Sequence, residues 1–265
     1  MSANDVLLEV EDGIATITLN QPDRMNALSE GIRTGIEARL DEVSDRDDAR
    51  VVVLEGSGGA FCAGGDVKGM GEKSEGGVPD HERTQSIVDL AEAVPVKLYN
   101  YELPTIAKVD GYCVGAGVGV AMACDLVLAS EDATFGLAFR NIGLTLDLAT
   151  SLFVTRAVGP YVAKELALTG EMIDGEHAAS LGLINHAYDA DEFEAQAGDL
   201  IEQVATGPTV ALHESVTNID RSYNSTIREV VEREAKSQNL ASSTRDHQEG
   251  IEAFGADRDP SFEGR

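Results

Sequence analysis

Apolar residues recur along the chain with two periods, and the changes between them divide it into elements. Leu7-Leu-Glu-Val-Glu11 and Ile14-Ala-Thr-Ile-Thr-Leu19 alternate apolar with polar residues around Asp12-Gly13, a pattern that predicts a β-hairpin. Ile32, Ile36, Leu40 and Val43 recur at helical spacing behind Ser29, which can cap the helix. Two β-branched runs, Arg50–Glu55 and Pro104–Val109, read as buried strands, and Asp125–Ala129 reads as a third. Each of the first two leads into a glycine-rich stretch, Ala60–Lys68 and Asp110–Asp125, predicting strand, tight turn and the start of a helix. The second stretch continues as a small-residue helix over 117–123. A helix is predicted over 80–99, broken or kinked at Pro95, and Gly69–Pro79 before it reads as a mobile loop.

From Thr150 the helical period dominates, over 152–158, 162–168, 175–181, 192–205, 208–220, 225–240 and 244–254, with 183–188 as the one strand. Strands alternating with helices predict an α/β fold with largely parallel pairing. The division expected is a core over 1–200 and a C-terminal helical region over 201–265. No tandem repeat of solenoid length is present in the sequence.

Composition narrows the function classes. With 265 residues and 43% hydrophobic content the chain can bury a substantial core. No apolar run reaches the ~18 residues of a membrane span, and the opening Met-Ser-Ala-Asn-Asp-Val lacks a secretory pattern, so the expected compartment is the cytoplasm. Cys62, Cys113 and Cys124 have no metal-ligand spacing and read as buried, reduced thiols. A net charge of −27, from 47 acidic and 20 basic residues, argues against nucleic acid and anionic membranes as partners. The acids are scattered along the chain, as in a solvated acidic shell of the kind halophiles use, which implies stability that rises with salt.

The motifs that would announce other chemistries are missing. Gly115-Ala-Gly-Val-Gly119 has no third glycine at dinucleotide spacing, and neither a phosphate loop nor a GxSxG elbow occurs. His81, His177, His186, His213 and His247 show no metal spacing. There remains the pair of glycine turns. Their backbone N–H groups, those of Gly65 and Ala116, can form an oxyanion hole; alternatively the glycines serve only close helix–strand packing.

The ordered series Ala60-Phe-Cys-Ala-Gly-Gly-Asp66, Asp110-Gly-Tyr-Cys-Val-Gly-Ala-Gly117 and Ala121-Met-Ala-Cys-Asp125 resembles the enoyl-CoA hydratase/isomerase, or crotonase, superfamily. Pro22-Asp-Arg-Met-Asn-Ala-Leu28, Phe135-Gly136, Gly175–Asn185, Glu249–Phe254 and Pro260-Ser-Phe262 add to the likeness, which runs from Val6 to Arg265. The resemblance implies an α/β spiral of ββα turns with a C-terminal helical trimerisation region, assembled as a homotrimer or a dimer of trimers. It also implies a coenzyme A thioester whose carbonyl is held by the N–H groups of Gly65 and Ala116, with no metal or further cofactor.

Hydratases of this family carry two glutamates, and the matching positions here are Gly119 and Phe139, neither of which can move a proton. Asp147 matches the position of the single catalytic aspartate of isomerase branches, and Ala138–Leu144 with Asp246–Phe254 resembles 1,2-epoxyphenylacetyl-CoA isomerase and related enzymes. The family often has Pro before this aspartate and Gly-Gly after it, where this chain has Leu146 and Leu148-Ala149. Asp147 is therefore either a proton shuttle or a cap for the helix that comes after it. Arg24, Ala63 and Lys68 match positions near coenzyme A, and Arg258 is a further cation in the tail; each of the three basic residues is alternatively a surface charge. Asp66 reads as a cap for the helix after the first turn. Leu137, Phe139 and Leu144 suggest an apolar acyl pocket. These features predict an acyl-CoA isomerase acting through an enolate; the alternatives are hydration, thioester hydrolysis, or acyl-CoA binding without catalysis.

Overall fold

Asp12 and Gly13 both adopt positive φ (50° and 85°), the backbone of a primed turn, and so fold β1 (Val6–Glu11) back on β2 (Ile14–Leu19) as an antiparallel hairpin. The computed structural model describes residues 5–66 and 79–265. Beyond the hairpin the first sheet is parallel: β3 (Val51–Gly56), β5 (Thr105–Val109), β7 (Leu126–Ser130) and β10 (His186–Tyr188) extend it in the order β1-β2-β3-β5-β7-β10. A second sheet of three-residue strands, β4 (Ala60–Cys62), β6 (Tyr112–Val114), β8 (Thr134–Gly136) and β9 (Met172–Asp174), is ordered β4-β6-β8-β9, with β9 antiparallel to β8. Each long strand β3, β5 and β7 is followed at once by a short one of the second sheet, so the chain advances as a spiral of repeated ββ turns with helices between them.

Helix α1 (Glu30–Ser44) begins where Ser29 accepts a hydrogen bond from Ile32 N, and it buries Ile32, Ile36, Leu40 and Val43 completely. Helix α2 (Asp80–Ala91) widens into a π turn, Glu92–Val96, before a last turn Lys97–Tyr99; Pro95, which has no N–H to donate, lies inside that widening. Helix α3 (Ala116–Ala121) is short and wholly buried. The two helices predicted over 152–158 and 162–168 are halves of α4 (Thr150–Thr169), separated by Gly159 at φ 75°, ψ 167° just before Pro160. Helices α5 (Gly175–Ser180), α6 (Phe193–Ala205), α7 (Thr209–Ser222), α8 (Ile227–Ala241) and α9 (Arg245–Ala256) complete the chain.

Strand β3 is apolar on both faces because it is buried on both. Val52 and Leu54 join the main core, while Val51 and Val53 join Ile106 and Leu128 against Phe193, Ala197, Ile201 and Ala205 of α6. The core thus runs through Ala205, and a boundary at 200 falls inside α6. Arg50 fastens the chain beyond α6 to the sheet, donating to Thr209 Oγ1 (3.3 Å), Phe262 O (3.0 Å) and Gly207 O (2.6 Å).

Two expectations need correction. The glycine turns do not leave the long strands directly; β4 and β6 intervene. The C-terminal half also holds β9 besides the strand expected over 183–188, itself shortened to His186–Tyr188. Three residues span less than two periods of strand alternation, so such strands leave no pattern to read.

Candidate active site

Strands β4 and β6 run parallel with Cys62 opposite Cys113, and this register brings the two glycine turns face to face. Gly64 (φ 93°) and Gly115 (φ 58°) make the contact: a Cβ on Gly64 would stand 2.8 Å from Val114 O and 3.3 Å from Ala116 N, and one on Gly115 would stand 3.9 Å from Gly64 Cα. A Cβ on Gly117 would overlap Cys62 O. Close packing therefore requires these glycines, and the same packing sets Gly65 beside the start of α3. Ala116 occupies the first position of α3, where no helical carbonyl is in reach of its N–H. Among the described residues, neither Gly65 N–H nor Ala116 N–H donates a hydrogen bond. Burial raises all three thiols, Cys62 to about 12, so none supplies a thiolate at neutral pH.

The loop before α1 lies along the first turn. Met25 and Asn26 are both left-handed (φ 50° and 53°), and the buried Asn26 side chain holds that shape by donating to Ser57 O (2.9 Å) and Ala60 O (2.6 Å) and accepting from Gln21 N (2.8 Å). Ala63 N then donates to Met25 O (3.0 Å) and Leu28 N to Gly64 O (2.8 Å). Arg24 forms an ion pair with Asp66 at 2.6 Å. The structure thus gathers Arg24, Ala63 and Gly65 on neighbouring stretches, with the Arg24 charge partnered by Asp66. Lys68, the loop expected over Gly69–Pro79 up to residue 78, and the helix Asp66 was expected to cap lie outside the described residues. Arg258 is held by both carboxylate oxygens of Glu249 (2.6 and 2.9 Å).

Asp147 stands on the segment joining the 3₁₀ turn Ala138–Ile142 to α4. Leu137 and Phe139 are buried, whereas Leu144 is exposed. The Asp147 carboxylate is half-buried, and its Oδ1 is inaccessible and without a hydrogen-bond partner among the described residues. It does not cap α4: the N-cap is Ala149, with no side-chain bond to the helix, and Asp147 contributes only its carbonyl, which accepts from Thr150 N (2.9 Å). Burial pushes the Asp147 carboxyl above its ordinary range, and a hydrogen bond from its own backbone N–H draws it partly back. Leu148 and Ala149 take left-handed φ values of 49° and 61°, the conformation that glycine adopts without cost.

One helical turn beyond Ala116, Gly119 packs on this segment. A Cβ there would overlap Thr150 Oγ1 and stand 3.2 Å from Leu148 O. Position 119 is therefore filled from outside the helix as well as lacking a carboxylate. Thr150 is the residue that sequence reasoning missed. A glycine inside a helix signals close approach, but its partner, 31 residues on, leaves no mark in the sequence.

The enoyl-CoA hydratase/isomerase family description matches residues 9–265. The chain belongs to the enoyl-CoA hydratase/isomerase family. It is 33% identical over its full length to a Rhodobacter capsulatus protein named "Probable enoyl-CoA hydratase", also covered in full. It is 31% identical to the 1,2-epoxyphenylacetyl-CoA isomerase of Escherichia coli, with 98% of each chain covered. The crystal structure of an enoyl-CoA hydratase from Polaromonas sp. JS666 superposes with a TM-score of 0.90 at 27% identity, over 97% of this chain and 99% of that one. The spiral is thus the crotonase fold, and the family's ligands are acyl-CoA thioesters. Among the described residues, no helix is long and apolar enough to cross a membrane.

Proposed function

We propose that this member of the family is an acyl-CoA isomerase with Asp147 as its proton carrier. The observation that carries the reading is that, of positions 119, 139 and 147, only 147 carries a carboxylate: position 139 is a buried Phe, and the space in front of Gly119 is taken by Thr150. The thioester oxygen accepts from Gly65 N–H and Ala116 N–H, and as the neighbouring carbon loses its proton the charge collects on that oxygen. Each such donor is worth about 3–4 kcal/mol in the barrier. Asp147 takes the proton and returns it to a carbon further along the acyl chain, so that the double bond moves and nothing is added or lost. Its raised carboxyl suits both steps, because a base that must also act as an acid works best with a pKa near the working pH. Arg24, Ala63 and Lys68 are the residues proposed for the coenzyme A moiety, with no separate cofactor.

Asp147→Asn tests this with a 3-enoyl-CoA. Isomerisation should fall by at least ~10³-fold while the thioester binds with little change, since the amide keeps the shape and loses the basicity. Retained turnover sinks the assignment. Hydration is the second reading, favoured by the name of the Rhodobacter relative. Crotonyl-CoA assayed in high salt separates the two, because substantial hydration would show that a two-glutamate site is not needed here.

A further inference from the structure

Thr150 is fully buried, and its Oγ1 has no hydrogen-bond partner among the described residues. An unpaired buried hydroxyl is costly, and its position needs a reason. It lies against Gly119, within the volume that any side chain at 119 would enter, and three residues after Asp147, whose Oδ1 is likewise inaccessible and unpaired among the described residues. Leu148, buried between them in sequence, closes the same wall with its carbonyl 3.2 Å from a Cβ at 119. We propose that Thr150 is a specificity-determining residue: by filling the space in front of Gly119 it keeps both a second carboxylate and a water molecule away from the enclosed Oδ1 of Asp147. The inference rests on the reading of Asp147 as the proton carrier.

The consequence is a closed proton path. The carboxylate takes a proton from the carbon beside the thioester, and the C–H electron pair delocalises onto the carbonyl oxygen through a dienolate. The carboxylic acid so formed then returns the same proton to the γ carbon. One C–H bond breaks, another forms, and the double bond shifts by one position with no co-reactant. With Thr150 in place water does not reach the enclosed Oδ1, so a proton carried there is kept from exchange and no water on that side adds to the unsaturated product.

The test uses a 3-enoyl-CoA in D₂O, reading by mass spectrometry both the deuterium in the isomerised product and the fraction hydrated. Thr150→Ala removes a hydroxyl and a methyl, opening room comparable to the ~30 Å³ share of one water. It should raise both readings several-fold over wild type, with Thr150→Ser in between and serving alone if the alanine variant does not fold. Thr150→Val, which preserves volume, should match wild type. A turning-over Thr150→Ala whose product is no more deuterated or hydrated than wild type overturns the proposal, and so does a wild type whose product is already fully exchanged.

The steric half is read without turnover. Gly119→Ala should lower the thermal midpoint by several degrees, and Thr150→Ala in the same chain should recover most of that loss. Additive effects overturn it. If wild type isomerises no thioester while this coupling is present, the failure lies with the proposed function and not with the packing.

Discussion

Replacing Gly64 by Ala should damage the facing turns in a way that can be calculated. The new Cβ would stand 2.8 Å from Val114 O, against about 3.4 Å for ordinary contact, so the turns must part by about 0.6 Å; 3.3 Å away lies Ala116 N, one of the two proposed donors. The left-handed φ of 93° adds about 1–2 kcal/mol of backbone strain, and overpacking adds about 1–3 kcal/mol. The variant should therefore lose about 2–5 kcal/mol of stability, and since displacement by ~1 Å can cost ~100-fold in rate, turnover should fall by one to two orders of magnitude. Gly59→Ala is the control: Gly59 has a comparable φ of 77°, but nothing lies within 4 Å of its added Cβ. It should show the strain without the loss of rate. Thermal unfolding and kcat on a 3-enoyl-CoA would be measured for both. If Gly64→Ala matched Gly59→Ala in both readings, the idea that the turns' contact sets the donors would be wrong.

Backbone strain and buried charge give two further outcomes. Ala149→Gly should raise stability in urea unfolding by about 0.5–1 kcal/mol, relief of the left-handed strain exceeding the added freedom of the unfolded chain; a loss of stability would show that the loop is unstrained. Asp125, partly buried just before β7, is raised from 3.8 to about 6 by desolvation, although Thr105 N (2.7 Å) and Oγ1 (3.0 Å) donate to it. The folded state thus binds this proton more tightly than the unfolded one, so its contribution is favourable at low pH and is lost as pH rises from about 4 to about 6. Above that window the penalty is about 3 kcal/mol, and Asp125→Asn should gain stability over wild type across the window and hold a constant advantage beyond it. An advantage independent of pH from 4 to 8 would refute this.

The long elements were legible because each carries several periods of its pattern: α1 announced its cap and all four buried residues, and the hairpin announced its turn. The π turn at Pro95 and the break at Gly159 were likewise marked by residues that cannot continue a helix. The second sheet was not legible, since strands of three residues are defined by the partners they meet. For the site, the glycines of both turns and Asp147 stood out in the sequence, and the structure brings the turns together. The Arg24–Asp66 pair and the Gly119–Thr150 contact are tertiary facts that join residues 42 and 31 positions apart, and no local pattern encodes them.

The facing glycine turns bear on how chemistry can vary on this scaffold. Their N–H groups belong to the main chain, and every amino acid except proline supplies the same one. No exchange of side chains can therefore tune them individually, and the glycines that hold them together tolerate little at all. The proposed proton carrier, by contrast, sits on a single connecting segment between Leu137 and Thr150, where one substitution can move, remove or add a charge. On the proposed assignment, a main-chain grip that side chains cannot alter is separate from the proton-carrying side chains at positions 119, 139 and 147, so a change of reaction leaves the facing turns untouched.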